Sequence, residues 1–343
     1  MILRISRLRR LRNGVVLAAL LLGAAGCPPT EPDMRPGRDL GPSKQAPSYP
    51  AARNVPIDSA LRVDAQKELV SALRSVDPEV RAHALEGLEK SDRSDRDGLV
   101  VEALSDPEAL VRYAACLAAG QLQIKSAHAT LLLLADDHDS AVRVAARYAL
   151  HRIGDYRHSH ELELLSRDTE PQVRGTTAMV LGMLGDPSAL KVLTPMRLDP
   201  HPAVRQQAAA AMWQLGSEQG LRDLIGWSIS RFPDDEMMGL IGLAEPHKAM
   251  VIQHVRAALV SDWPAVSLTA ARAMGMLGSD EGYGIATKGA KSIDPGGRIE
   301  AATALGEIGR PDSQDVLRRL LRDSDANVRV AAAEAILELK PSG

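Results

Sequence analysis

Apolar positions recur along this chain on two nested periods. Inside short stretches they keep helical spacing, and the stretches themselves return every 31 residues. In Asp199–Gly216, Val204, Met212 and Leu215 share one helical face and Arg205 stands beside the valine. Stepping by 31 from Arg205 lands on Arg81, Arg112, Arg143, Arg174, Arg205, Glu236, Ser267, Arg298 and Arg329, with no insertion or deletion. Valine precedes seven of these markers, and an apolar residue usually follows at +7 and +10. Six residues before each marker stands Asp or Ser, from Ser75 to Asp323, and three before it proline fills six of nine places. Short oxygens satisfy free N–H groups at a helix start, and proline tolerates the first turn. Glycine at +11 (Gly154, Gly185, Gly216, Gly278, Gly309) stops the helix.

A second apolar marker lies 19 residues after the first: Val100, Leu131, Leu162, Leu193, Leu224, Val255, Ala286 and Leu317, with Leu69 one step earlier. Each unit therefore reads as helix, Asp/Ser/Pro turn, helix, glycine. The +6 position is always small or Val180, and we expect it to let neighbouring units approach closely. No unit can bury its own apolar face, so the units must stack.

The pattern Asp-x-x-Pro-x-Val-Arg-x-x-Ala-x-x-x-Leu-Gly resembles the HEAT-repeat family, and the short regular period is most similar to its phycobilisome-lyase-like members. The likeness covers roughly residues 57–340. It implies an all-α fold, a right-handed α-solenoid of about nine 31-residue helical hairpins. It also implies that Arg81, Arg112, Arg143, Arg174, Arg205, Arg298 and Arg329 form a structural ladder with Asp106, Asp137, Asp168, Asp199 and Asp323. Function is open within the family, which includes enzymes, chaperones and scaffolds.

Residues 1–26 read as a leader. Five arginines between Arg4 and Arg12 precede an apolar run of 12 from Gly14 to Ala25, suited to a signal peptide and short for a membrane span. Ala24-Ala25-Gly26-Cys27 resembles a bacterial lipobox, although Ala24 stands where a branched apolar residue is usual. The expectation is lipidation at Cys27, which would anchor the chain in the cell envelope and make the membrane a partner. Residues 27–56 carry eight prolines and no apolar period, a semi-extended tether. Asp does not follow Cys27, which favours the outer membrane over the inner, facing the periplasm or the cell surface.

Charge weakens one class of partner. Removing residues 1–26 takes five arginines and no acid, leaving 36 basic residues against 44 acidic, a net of −8. With the arginines dispersed by the repeat, nucleic acid is excluded as an expected partner. Phosphate-cradling glycine loops, Gly-x-Ser-x-Gly, His-Glu-x-x-His and paired zinc cysteines are all absent from the sequence, so no cofactor and no catalytic residue is expected. Cys116 reads as a small buried apolar residue. His151, His158 and His160 beside Glu161 form the one histidine cluster, open between metal binding and solvated loop. Iron-binding members of the family carry several His-Glu pairs on their helices; this chain has one, His160-Glu161.

The sixth unit breaks the pattern. Asp235-Glu236 replaces Val-Arg, Gly239 and Gly242 fall inside a helix, and Pro246 ends it early. Trp213, Trp227, Phe232, Met237, Met238 and Trp263 gather around it. Either large side chains fill a packing fault, or the region is a hinge with a contact patch for a protein partner. Because the second-helix faces show mostly Ala, Gly, Met and Gln, the expectation is a non-enzymatic scaffold for protein–protein interaction. The alternative is a lyase-like or metal-dependent enzyme or a cofactor-attachment factor.

Overall fold

The computed structural model describes residues 56–339. Cys27, the leader and residues 27–55 of the tether lie outside the described residues. Among those described there are eighteen α-helices and no strand. The first helices of the nine units are α1 (Ser59–Ala72), α3 (Arg96–Ala103), α5 (His128–Leu134), α7 (Ser159–Leu165), α9 (Leu190–Met196), α11 (Glu218–Ser228), α13 (Ile252–Ala257), α15 (Tyr283–Gly289) and α17 (Gln314–Leu320). The second helices are α2 (Pro78–Leu88), α4 (Ala109–Gln121), α6 (Ser140–Arg152), α8 (Pro171–Leu184), α10 (Pro202–Gln214), α12 (Pro233–Ala244), α14 (Pro264–Met276), α16 (Pro295–Ile308) and α18 (Ala326–Glu338). None of them is long and apolar enough to cross a membrane.

The second helices stack side by side as an inner wall, and the first helices cover them outside. Proline starts α2, α8, α10, α12, α14 and α16, where its missing N–H leaves no bond unmade. Aspartate caps α2, α6, α16 and α18 through its side chain. At +11 the five glycines all take positive φ, and so do Gln123 and His247, which hold that position in units two and six. The left-handed turn is thus demanded by the repeat and is met there without glycine.

Small residues serve a different contact from the one expected at +6. A Cβ on Gly87 or Gly242 would strike Leu69 or Leu224, the leucine of the same hairpin. Close approach between units falls at +8, where Gly120, Gly182, Gly275 and Gly306 face Ala149, Ala211, Ile308 and Ala335 of the next second helix.

The array closes on itself. Helix α18 packs on both α1 and α2, so the ninth unit meets the first and the solenoid is a ring. The seam is stitched by Arg329 Nε to Glu68 at 2.7 Å, Arg62 to the Leu337 carbonyl at 3.2 Å and Lys90 to Glu338 at 3.0 Å. Gln314 accepts from the Asp58 backbone N–H at 2.7 Å and donates to the Pro56 carbonyl at 2.9 Å, and Arg318 pairs with Asp58 at 2.8 Å. Apolar packing runs through the seam, from Leu61, Ala65 and Leu69 into Ile336 and Leu339. This core has one division. The main cluster spans units one to five and, across the seam, eight and nine, while Trp213, Leu224, Met237, Leu243, Val255 and Met274 form a separate cluster under units six and seven.

Candidate functional site

The repeated arginines lie away from the ring's interior. Arg81, Arg112, Arg174 and Arg298 each grip the Asp of the following unit (Asp106, Asp137, Asp199, Asp323) through two nitrogens at 2.7–2.9 Å. The remaining nitrogen bonds carbonyls of the turn before its own helix, such as Ser75 for Arg81 and Asp168 for Arg174. Each such Asp also accepts a backbone N–H at the start of its own helix, as Asp137 does from Asp139. Burial opposes ionisation of Asp137, Asp199 and Asp323, yet the guanidinium and that N–H hold each carboxyl below its ordinary value. These side chains are saturated by protein. Two rungs are missing: Arg143 and Arg205 keep only their carbonyl bonds. Asp168, placed to meet Arg143, accepts from Glu170 N instead, and Ser230 stands where Arg205 would need a carboxylate. Arg329 turns to Glu68 because Ser75 occupies the matching place in unit one.

The histidines do not converge. His151 Nδ1 meets Ser159 Oγ, His158 Nδ1 meets Glu161, and His160 Nδ1 meets the Arg157 carbonyl. No group of three His, Cys, Asp or Glu among the described residues is arranged to hold a metal. Cys116 is fully buried, and burial pushes its thiol up, away from reactivity.

Ring closure instead creates a central cavity of about 1520 Å³, to which every unit but the third contributes. Counting from the marker, the inner face of each second helix is +2, +5 and +9, one helical stripe. Its residues differ from unit to unit. Units eight, nine and one supply Glu300, Glu307, Glu334, Glu338, Glu86 and Glu89. Units four to seven supply Met179, Met183, Trp227, Met237, Met238, Ile241, Trp263, Leu268 and Met276. The expectation that these faces are Ala, Gly, Met and Gln holds for the middle units and fails around the seam.

Around the whole cavity, carboxylates outnumber Lys and Arg by nine to four. Arg272 reaches into the acidic side, 3.7 Å from Glu300, with Glu307, Glu334 and Glu338 close enough to act on it electrostatically. Lys90 serves Glu338. Several of the other acids are pushed toward their neutral forms. Burial pushes Glu89 up to about 7 against the pull of Lys90, and burial together with Glu338 pushes Glu334 up to about 8. Burial raises Glu245 and Glu307 too. His83, buried beside Glu334 at 3.9 Å, is held down to about 4 by desolvation.

The aromatic and methionine set separates into three places. Trp227, Met237, Met238 and Trp263 line the cavity. Phe232 is 43% exposed at the start of α12, under the Arg231 guanidinium, and does not face the cavity. Trp213 is corrected outright: it is 3% exposed, its ring N–H donates to the Leu243 carbonyl at 3.1 Å, and it belongs to the core. Gly239 and Gly242 do fall inside α12, and close packing is what holds glycine there. A Cβ at Gly239 would run into the backbone of Trp227 and Ser228, so glycine here permits tight packing of α12 on α11. Helix α12 does stop at Ala244, two residues before Pro246.

A family model described as HEAT repeats matches residues 66–151, 159–235 and 285–342. No curated protein matches the chain. Among solved structures, the complex of CpcE and CpcF of phycocyanin lyase from Nostoc sp. PCC7120 is similar at 20% identity, covering 71% of this chain and 97% of that one, with a TM-score of 0.44. Human deoxyhypusine hydroxylase in complex with glycerol is similar at 21% identity, covering 71% of this chain and 96% of that one, with a TM-score of 0.37.

Proposed function

The chain belongs to the HEAT-repeat family, and from that premise we propose that it is a non-catalytic interaction ring, tethered in a bacterial cell envelope through Cys27, that holds a protein ligand in its central cavity. One observation carries this reading. Closure turns the second helices of eight units toward a single cavity whose lining is freed from the repeat, while the repeated charges are spent on one another. At about 1520 Å³ the cavity exceeds the roughly 300–1,000 Å³ of small-molecule sites, which suits a stretch of polypeptide. Anchoring rests on the leader and Cys27 alone. Cys27→Ser should release the chain from membranes or leave the leader uncut, and unaltered membrane association of a cleaved chain would remove the tether.

Site-specific photocrosslinking tests the cavity. A photoreactive residue at Met238, inside, should capture a ligand from native membranes, and one at exposed Leu133, outside, should not. Capture from Leu133 alone would move the interaction to the outer surface. A second reading, an enzyme using the same cavity, is favoured by Glu89 and Glu334, whose protonation near neutrality is a property of general acids. The mass of the captured ligand separates the two: unchanged for a binder, altered for an enzyme.

A further inference from the structure

The cavity has two unlike walls, and their chemistry specifies what fits between them. The acidic wall is continuous only because the ring closes, since Glu86 and Glu89 begin the array while Glu334 and Glu338 end it. Buried carboxylates cost free energy unless paired, and burial outweighs the pull of Lys90 on Glu89 and of Lys90 and Arg272 on Glu307 and Glu334. A cation supplied from outside would ease that cost.

The adjoining wall, from units six and seven, carries an independent sign. Four residues before the marker, at the start of the second helix, seven units have a polar residue, and in four of these an Asp caps the helix. Units six and seven place Phe232 and Trp263 there. Neither makes a cap bond, and the rings are 43% and 51% exposed. Both leave an aromatic surface in water, and of the two Trp263 is the one that lines the cavity. Trp263 stands on the cavity rim, as does Ile293, which is 98% exposed. Behind this rim lie Trp227, Met237 and Met238, the adaptable apolar surface that suits varied side chains.

We propose that the cavity takes a polypeptide segment bearing both basic and apolar side chains, admitted past Trp263, with its Lys or Arg residues on the acidic wall of units eight, nine and one and its apolar residues on the Trp/Met wall of units six and seven. This rests on the binding-ring reading above and gives it a ligand class. Three physical features support it together: the nine-to-four charge imbalance, the exposed apolar rim and the size of the cavity. The ligand's positive charge would draw Glu89 and Glu334 into their ionised forms, so binding strengthens as pH rises through their range.

The test uses the full chain in non-ionic detergent with three labelled probes of about ten residues: one of Lys, Leu and Gly, one with Glu for Lys, and one with Ser for Lys. The basic probe should crosslink at Met238 and not at Leu133, and its affinity should fall steeply with salt. At about pH 8.5, Glu89→Gln with Glu334→Gln should weaken binding about tenfold while the melting temperature holds or rises, which excludes unfolding as the cause. Trp263→Ser, which offers a cap in place of the ring, should weaken it several-fold with no loss of stability. If the Glu or Ser probe crosslinks at Met238 as well as the basic one, the charge inference falls and the binding cavity stands. If spermine displaces the basic probe at equal concentration, the apolar half of the inference falls. If the basic probe and the native ligand both crosslink only at Leu133, the inference and the binding reading fall together.

Discussion

The band of Arg–Asp pairs at the turns and the lining of the cavity belong to the same nine second-helix units, yet they follow opposite rules. The band repeats one chemistry, with Arg174 and Asp199 doing what Arg81 and Asp106 do. The lining changes around the ring, from Glu86 to Leu117 to Met179 to Ala210. Four junctions share this pair, and it is the bond that recurs from unit to unit. What does not recur is not demanded by stacking, and in this ring the variable positions face inward.

Four experiments would break or sharpen that contrast. The largest effect should come from removing α18. That uncovers α1, and each fully buried leucine it exposes is worth about 1.5–3 kcal/mol. Hydrogen exchange should then show α1 losing protection at the far end of the sequence, and preserved protection there would deny the seam any role in stability. Next, Arg174→Ala should cost about 1–3 kcal/mol in denaturant titration, because Asp199 is left buried without its guanidinium. Gly239→Ala should cost a similar amount through the clash with Ser228, whereas Gly226→Ala, with nothing near its Cβ position, should be neutral or mildly stabilising. Met183→Ala, a lining change at +9, should cost less than either, and an equal cost would erase the distinction between band and lining.

A smaller effect has the opposite sign. Glu89→Gln with Glu334→Gln should stabilise the empty ring by about 1 kcal/mol or more at pH 8 and by little at pH 5. The raised pKa of each acid means that its contribution is fully present below the unfolded value near 4.5 and is lost as pH rises through about 7 and 8. His83 works the other way: its depressed pKa gives stability present above 6.5 and lost toward about 4. Comparing the double variant with the parent across pH cancels the aspartates of the band, but not His83, which lies 3.9 Å from Glu334. A parallel pair of pH curves would show that the two glutamates are not starved of charge.

The side-chain caps fall at −4 in four units and not at the −6 place, whereas the helices and their number were legible in the chain because each is a local demand repeated nine times. Even Gln123 and His247 obey it, taking the left-handed turn at the +11 place. Closure was not legible. It depends on a small rotation between neighbours summed around the whole ring, and no residue records that sum. The acidic wall was missed for the same reason: Glu86 and Glu334 hold the same +5 place but become neighbours only when the ends meet. The signal was present in Glu86 and Glu334 at +5 and in Glu307 and Glu338 at +9, hidden by averaging all nine faces together. Trp213 misled because ring size suggested a contact surface, whereas its N–H had a carbonyl partner inside.

A ring of repeats counts. An open stack can lengthen or shorten by a unit and lose only a proportional part of its surface. Here each unit must turn the chain by one-ninth of a circle, so a tenth copy or an eighth would leave Arg329 and Glu68 facing nothing. Duplication within the gene, the ordinary way such arrays evolve, would therefore act on this protein as an all-or-none change. Variation is confined to substitution inside a fixed number of units, and the interior can be rewritten only one side chain at a time.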